Sequence, residues 1–191
     1  MSAEWPPPDI PRVLTAGNID AALTAYRRLV QTIEAPSRRL RGAELLWVMK
    51  RSKLGRGPYP NVSLFEAANR VMTDLVLLTG VRWLLKERVF SFRSYTVQYG
   101  HANEAPYDVE AHAGRRSLAA EVFNVAQSYF ATKKAAALKK LRASRPRPTV
   151  RLLMFNHDAV AAEFAPKPRA GEHVLIVNVG SRKVRYCPPP T

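Results

Sequence analysis

Two acidic side chains set inside otherwise apolar strand patterns are the residues of this chain best placed to do chemistry. Asp108 lies in the stretch 107–113, where polar and apolar side chains alternate as they do along a half-buried β-strand, and Glu121 interrupts the apolar run 118–126. Gly114-Arg115-Arg116-Ser117 between them is a turn signal, so the two strands are expected to be neighbours. An acid in an apolar strand carries a large desolvation cost unless something pairs with it. Two acids facing each other on adjacent strands repel, which makes a divalent cation their natural partner. Glu110 follows Asp108 by two residues and so shares its strand face, as an accessory ligand or base.

The second feature is charge. Thirty Lys and Arg against fifteen Asp and Glu leave a net charge of +15. A domain this basic suits a polyanion, nucleic acid first, although anionic membranes and acidic proteins also attract it. From Phe123 to His157 there is no acidic residue, while Lys133, Lys134, Lys139, Lys140, Arg142, Arg145, Arg147 and Arg151 all fall in that span. A helix of one sign repels itself unless an anion offsets it. A further basic group, Arg38, Arg39, Arg41, Lys50, Arg51, Lys53 and Arg56, surrounds a helix expected over 42–53. Of these cations, Lys139, Lys140, Arg142, Arg38, Arg39, Arg41, Lys50, Arg51 and Lys53, together with Arg115 and Arg116 at the turn, form the expected DNA-contacting set.

The elements that must position these residues follow from periodicity. Residues 1–18, rich in proline, read as an extended arm. Asn18 is placed to cap a helix over 19–33 whose stripe is Ala22, Tyr26, Leu29, Val30 and Ile33. Ser63-Leu64-Phe65-Glu66 is a capping box opening a helix that Gly80 should end. Residues 81–85 then lead into the sheet, 88–99 form a long strand, and the strands bearing Asp108 and Glu121 complete three antiparallel strands in sequence. A helix over 127–143 buries Phe130, Ala137, Leu138 and Leu141. The apolar strand 150–155 comes after that helix, which implies a parallel crossover. A brief helix over 159–164, a strand over 174–179 and a basic strand near 182–186 finish the chain.

The result is an α/β fold with a mixed central β-sheet flanked by helices and an N-terminal helical extension. The expected divisions are an arm and basic helical extension over 1–58, an α/β core over 59–187 and a Pro-rich tail over 188–191. One cysteine, Cys187, excludes a disulfide framework and a cysteine-based zinc site. His101, His112, His157 and His173 lack ligand spacing. No apolar run approaches the ~20 residues that span a bilayer, and no signal peptide is evident, so a cytoplasmic protein without a membrane partner is expected.

An Asp on one strand, a Glu on the next and then a basic helix resembles the PD-(D/E)xK nuclease superfamily, the restriction-endonuclease-like fold, over roughly residues 63–155. That resemblance implies a Mg2+ (or Mn2+) ion held by Asp108 and Glu121, joined by the main-chain carbonyl of Val122, and gives Glu66 a role, competing with the capping box, as an accessory acid near the metal. It implies a DNA endonuclease that hydrolyses phosphodiester bonds, and a homodimer, since cutting a duplex takes two sites. Two departures stand in the sequence. Pro106 precedes Tyr107 rather than the Asp, and Phe123 occupies the place of the family lysine. Some members carry that lysine on the following helix, where Lys133 or Lys134 would serve. Two other classes compete: a catalytically silent nucleic-acid-binding protein with the same fold, which Phe123 would permit, and an RNA-binding module.

Overall fold

The computed structural model of the chain describes residues 6–7, 9–34, 39–100 and 105–189. Its elements are β1 (Val13–Thr15), α1 (Ile19–Val30), α2 (Gly42–Arg51), α3 (Leu64–Glu87), β2 (Ser94–Val97), β3 (Val109–Ala113), β4 (Arg116–Phe123), α4 (Gln127–Ala143), β5 (Val150–Asn156), β6 (Glu172–Asn178) and β7 (Lys183–Cys187). A single 3-10 turn, His157–Ala159, follows β5. The seven strands make one sheet in chain order, β1 through β7. β1 to β4 are antiparallel, β4, β5 and β6 run parallel, and β7 turns back antiparallel. The expected mixed sheet is therefore present, with α4 as the crossover that a parallel β4–β5 pair requires.

The two faces of the sheet build separate cores. On one face α3 packs across β4, β5, β6 and β7, and α1 and α2 pack against α3 in turn. Leu118, Ala120, Val122, Leu152, Met154 and Leu175 point into this larger core. On the other face α4 covers Phe123, Leu153, Phe155, Val174 and Ile176, with Phe130 and Ala137 contributed by the helix itself. Phe123 stacks on Phe155 with ring centroids 5.7 Å apart, and Phe130 leans against Phe155 at 4.8 Å. All seven residues of β5 are buried, as befits a parallel strand covered on both faces.

Several expectations give way here. The helix opened by Ser63 does not end at Gly80. Buried Gly80 lies mid-helix, where a Cβ would press on Met154 Sδ, so the glycine allows close approach between α3 and β5. The helix runs on to Glu87 and stops at Arg88, a left-handed residue at φ 49°. The stretch 81–85 is thus helical, because its apolar residues serve the underside of α3, and the long strand shrinks to Ser94–Val97. The N-terminal segment is not a free arm: Ile10 and Leu14 are buried, and Val13–Thr15 pairs with β2 as the sheet's edge strand. Asn18 does not cap α1 with its side chain. Its Oδ1 accepts from Thr15 N and its Nδ2 donates to the Val13 carbonyl, closing the turn between β1 and α1. The brief helix expected over 159–164 is the short turn at 157–159.

Candidate functional site

β3 and β4 are paired with Val109 opposite Ala120 and Glu110 opposite Ala119. Asp108 is a bend residue just before the first pair of this ladder, outside the regular strand alternation, and close enough for its charge to act on Glu121. The backbone explains why Asp108 stays there. Its N–H donates to the Ala120 carbonyl at 3.1 Å, and its carbonyl accepts from Gln98 N at 2.9 Å. Its carboxylate Oδ2 accepts from Val122 N at 2.7 Å, so the side chain takes the place of a ladder partner just past the last pair.

Glu121 projects from the face of β4 that α4 covers, against Lys140, whereas Asp108 opens toward α3. Lys140 Nζ lies 2.6 Å from its Oε1. That oxygen is shut off from solvent. The contact becomes an ion pair once Glu121 gives up its proton. Burial, then the charge of Asp108, pushes the Glu121 carboxyl up to about 7, against the opposing pull of Lys140 and Lys133. The site is therefore an acid that keeps its proton close to neutral pH beside a second, backbone-anchored carboxylate.

Of the expected lysines, Lys133 lends its positive field to Glu121, whereas Lys134 does not stand at the carboxylates. Lys134 Nζ sits 5.4 Å from the Phe130 ring and 5.7 Å from that of Phe164. The geometry follows from helical spacing: residues 133, 137 and 140 form one stripe of α4, and 134 and 138 form the next. Lys140, expected to contact DNA, is the cation in touch with Glu121. Phe123 shares the strand face of Glu121 but is consumed by aromatic packing under α4. Glu110 lies one pleat along from Asp108, opposite Ala119 and Thr96, and is half-buried.

Glu66 is engaged elsewhere. Its N–H completes half of the capping box with Ser63 Oγ at 3.4 Å, and its carboxylate pairs with Arg70 at 2.5 Å rather than reaching back to the cap. The acid of α3 that shares a small cleft with Asp108 is Asp74, together with Arg70, Thr73, Gln98 and Gly100. Sequence reasoning passed over it, although an acid inside the apolar run of a helix is the same signal that singled out Glu121. Asp74 is buried and accepts from Tyr26 Oη at 2.6 Å, from Tyr59 Oη, and from Gly100 N at 3.1 Å. Burial pushes its carboxyl up to about 6 despite those donors, and Asp108 adds to the rise. Two tyrosine donors and a backbone donor make Asp74 an anchor for α1, α3 and the end of β2.

The expected DNA-contacting cations divide into free and engaged groups. Lys139 is exposed, as are Arg41, Lys50, Arg51 and Lys53 around α2, and none of these pairs with a carboxylate among the described residues. Arg39 is exposed as well. Arg115 and Arg116 stand exposed at the β3–β4 turn, with Arg116 donating to Ser91 Oγ at 3.0 Å. Arg142, in contrast, holds buried Glu172 in a two-pronged contact at 2.7 and 3.0 Å, so its charge is already spent. Arg38 lies outside the described residues.

No family model, no curated protein and no solved structure matches this chain. Among the described residues no helix is long and apolar enough to cross a membrane.

Proposed function

We propose that this chain is a Mg2+- or Mn2+-dependent DNA endonuclease of the PD-(D/E)xK, restriction-endonuclease-like type. The arrangement that carries the proposal is Asp108 near enough for its charge to act on Glu121, with Lys140 against Glu121. The order of elements also supports it: α3, three antiparallel strands, the crossover helix α4 and a parallel strand, in a chain of net charge +15.

The donor set fits the ion. Two hard carboxylate oxygens suit a small divalent cation that keeps several waters of its own. No group of three or more His, Cys, Asp or Glu side chains is assembled among the described residues, so Asp108 and Glu121 would be the side-chain ligands. Bound there, the cation would neutralise charge on the scissile phosphate and acidify a water. The chain's own part is to hold Asp108 by the Val122 N–H and to keep Glu121 ready to release its proton when positive charge arrives. Lys140 would then be free to turn toward the developing charge on the phosphoryl oxygens. Lys133 and Lys140 share the stripe of α4 above the site, so Lys140 takes the place that Phe123 leaves vacant. Cutting both strands of a duplex takes two such sites, so the reading includes a homodimer.

The second reading, a silent nucleic-acid-binding protein, is favoured by one observation: Phe123 is built into the aromatic core and its position is closed to a lysine. Incubating wild-type protein and Glu121→Ala with plasmid and oligonucleotide DNA in Mg2+ or Mn2+ decides between them. The nuclease reading expects cleavage by the wild type, none by the variant, and undiminished DNA affinity of the variant without metal. An acid among cations repels phosphate until it is neutralised, so its loss helps binding while removing chemistry. Binding without cleavage by the wild-type protein under all these conditions supports the silent reading.

A further inference from the structure

On the flank of α4 away from Glu121 lies a cleft of about 340 Å³, a volume that takes a small molecule. Leu153, Phe155 and Val174 of β5 and β6 form its floor, and Leu138 of α4 one wall. The other wall is the segment 164–169, Phe-Ala-Pro-Lys-Pro-Arg. Phe164 is half-exposed and set edge-on to Phe130, with centroids 5.4 Å apart and planes at 87°. This wall is preorganised: Pro166 and Pro168 restrict the backbone on either side of Lys167. The Arg185 guanidinium donates to the Phe164 carbonyl at 2.7 Å and to that of Ala162 at 3.4 Å, tying the segment to β7.

The rim is positive and uncompensated. Lys134, Lys167 and Arg169 line the cleft, and no carboxylate pairs with their side chains among the described residues. The single acid present, Glu172, is satisfied by Arg142 and by the Arg169 N–H at 3.3 Å. His173 adds no positive charge to the balance, because burial holds its imidazole below the usual range and its Nδ1 engages Tyr186 Oη at 2.7 Å. An apolar, aromatic floor under three cations without carboxylate partners, of which Lys134 already lies over the Phe130 and Phe164 rings, selects a ligand with a flat apolar body and more than one negative charge. A simple carboxylic acid would leave two of the cations unanswered. A nucleotide within a strand meets all three conditions, with one base and a phosphate on either side.

We infer that this cleft receives one unpaired nucleotide of a bound nucleic acid, its base against Phe164 and its flanking phosphates against Lys134, Lys167 and Arg169. The proposal rests on the nucleic-acid reading above and narrows its substrate class to strands with an unpaired nucleotide, such as an overhang, flap or bulge. A base in a duplex cannot reach this floor without leaving the stack.

The test is fluorescence anisotropy on three labelled substrates without metal: a blunt duplex, the same duplex with a short single-stranded overhang, and that overhang carrying an abasic residue. Stacking of one base on an aromatic side chain supports an expected preference of about tenfold for the overhang over the blunt duplex, lost with the abasic residue. Phe164→Ala should shrink this ratio to about twofold or less. Lys167→Glu, at an exposed position that does not endanger folding, should do the same. Equal affinity for all three substrates overturns the inference while leaving DNA binding intact, as does a ratio unmoved by both variants. Failure to bind any of the three overturns the nucleic-acid reading itself. Competition by decanoate but not by dAMP would assign the cleft to an apolar acid and also overturn the inference.

Discussion

The ammonium of Lys140, on the last turns of α4, lies 2.6 Å from the carboxylate of Glu121, in the middle of β4. The pair joins the centre of the sheet to the crossover helix above it. It also places a strongly basic helix over an acid whose carboxyl burial has raised. If Lys140 is the electrostatic catalyst, Lys140→Ala should slow single-turnover cleavage at saturating DNA and metal by about two decades or more. Affinity should change by less than about threefold. Lys133→Ala, which removes field but not contact, should cost less. Equal rates for Lys140→Ala and wild type would remove Lys140 from the chemistry.

Metal-free stability should depend on pH through Glu121. Its folded-state pKa of about 7 stands above its ordinary 4.5, so the folded protein keeps a proton that the unfolded chain has lost. Stability therefore falls as pH rises from about 4.5 and the loss is complete above about 7. Asp74 contributes with the same sign between 3.8 and about 6. Asp20 and Glu172, held low by Arg82 and Arg142, act oppositely and only on acidification below their ordinary range. Glu121→Gln should flatten the decline between pH 5 and 8, gaining on the order of 2 kcal/mol at pH 8 relative to pH 5. Urea melts in a chelating buffer measure it. Added Mg2+ should raise the midpoint of the wild type at pH 8 and leave that of the variant unmoved.

The Asp74 anchor should be felt most when it is charged. Tyr59→Phe deletes one of its donors and leaves the carboxylate less compensated, at a cost of about 1–3 kcal/mol. The loss should be greater at pH 8 than at pH 5, because removing a donor of the ionised form pushes the Asp74 carboxyl still higher. Chemical denaturation at the two pH values checks this. A penalty independent of pH would mean that the phenol contributes packing alone.

Lys139 is exposed on α4 and pairs with no acid among the described residues. Lys139→Ala should weaken binding of all DNA sequences about equally and reduce the slope of log affinity against log salt by about one. The corresponding change at Arg142, which is occupied by Glu172, should leave the slope unaltered and instead destabilise the fold. Titrations between 50 and 200 mM salt would separate the two.

The parts of the fold written in local pattern were legible in the sequence. The α4 boundaries, the antiparallel trio and the parallel crossover to β5 all follow from periodicity and the turn at Gly114. Reading failed where tertiary packing overrode a local sign. Gly80 resembles a helix end but serves as the place where α3 touches Met154. The proline-rich N-terminus resembles an arm but buries Ile10 and Leu14. In the candidate site, the nearness of Asp108 and Glu121 followed from two strands joined at Gly114, although Asp108 leaves the regular ladder and lines a cleft against α3. Which lysine meets Glu121 did not, because the rotation of α4 over the sheet is set by Phe130, Ala137 and Leu141 sinking into the cores.

The sequential strand order has a consequence for how the chain assembles. From β2 to β7 each strand pairs with the next one along the chain, so the sheet can grow by a series of short closures, each built on the one before. β1 is the exception: Val13 pairs with Thr96, enclosing α1, α2 and α3 in one large loop. The entropic cost of loop closure grows only logarithmically with length, but a contact so distant in sequence gains nothing until both ends are in place. The edge strand is therefore a late arrival. Substitutions at Leu14 should accelerate unfolding while leaving the folding rate almost untouched, whereas substitutions at Ala120 or Leu152, in the zippered centre, should slow folding itself.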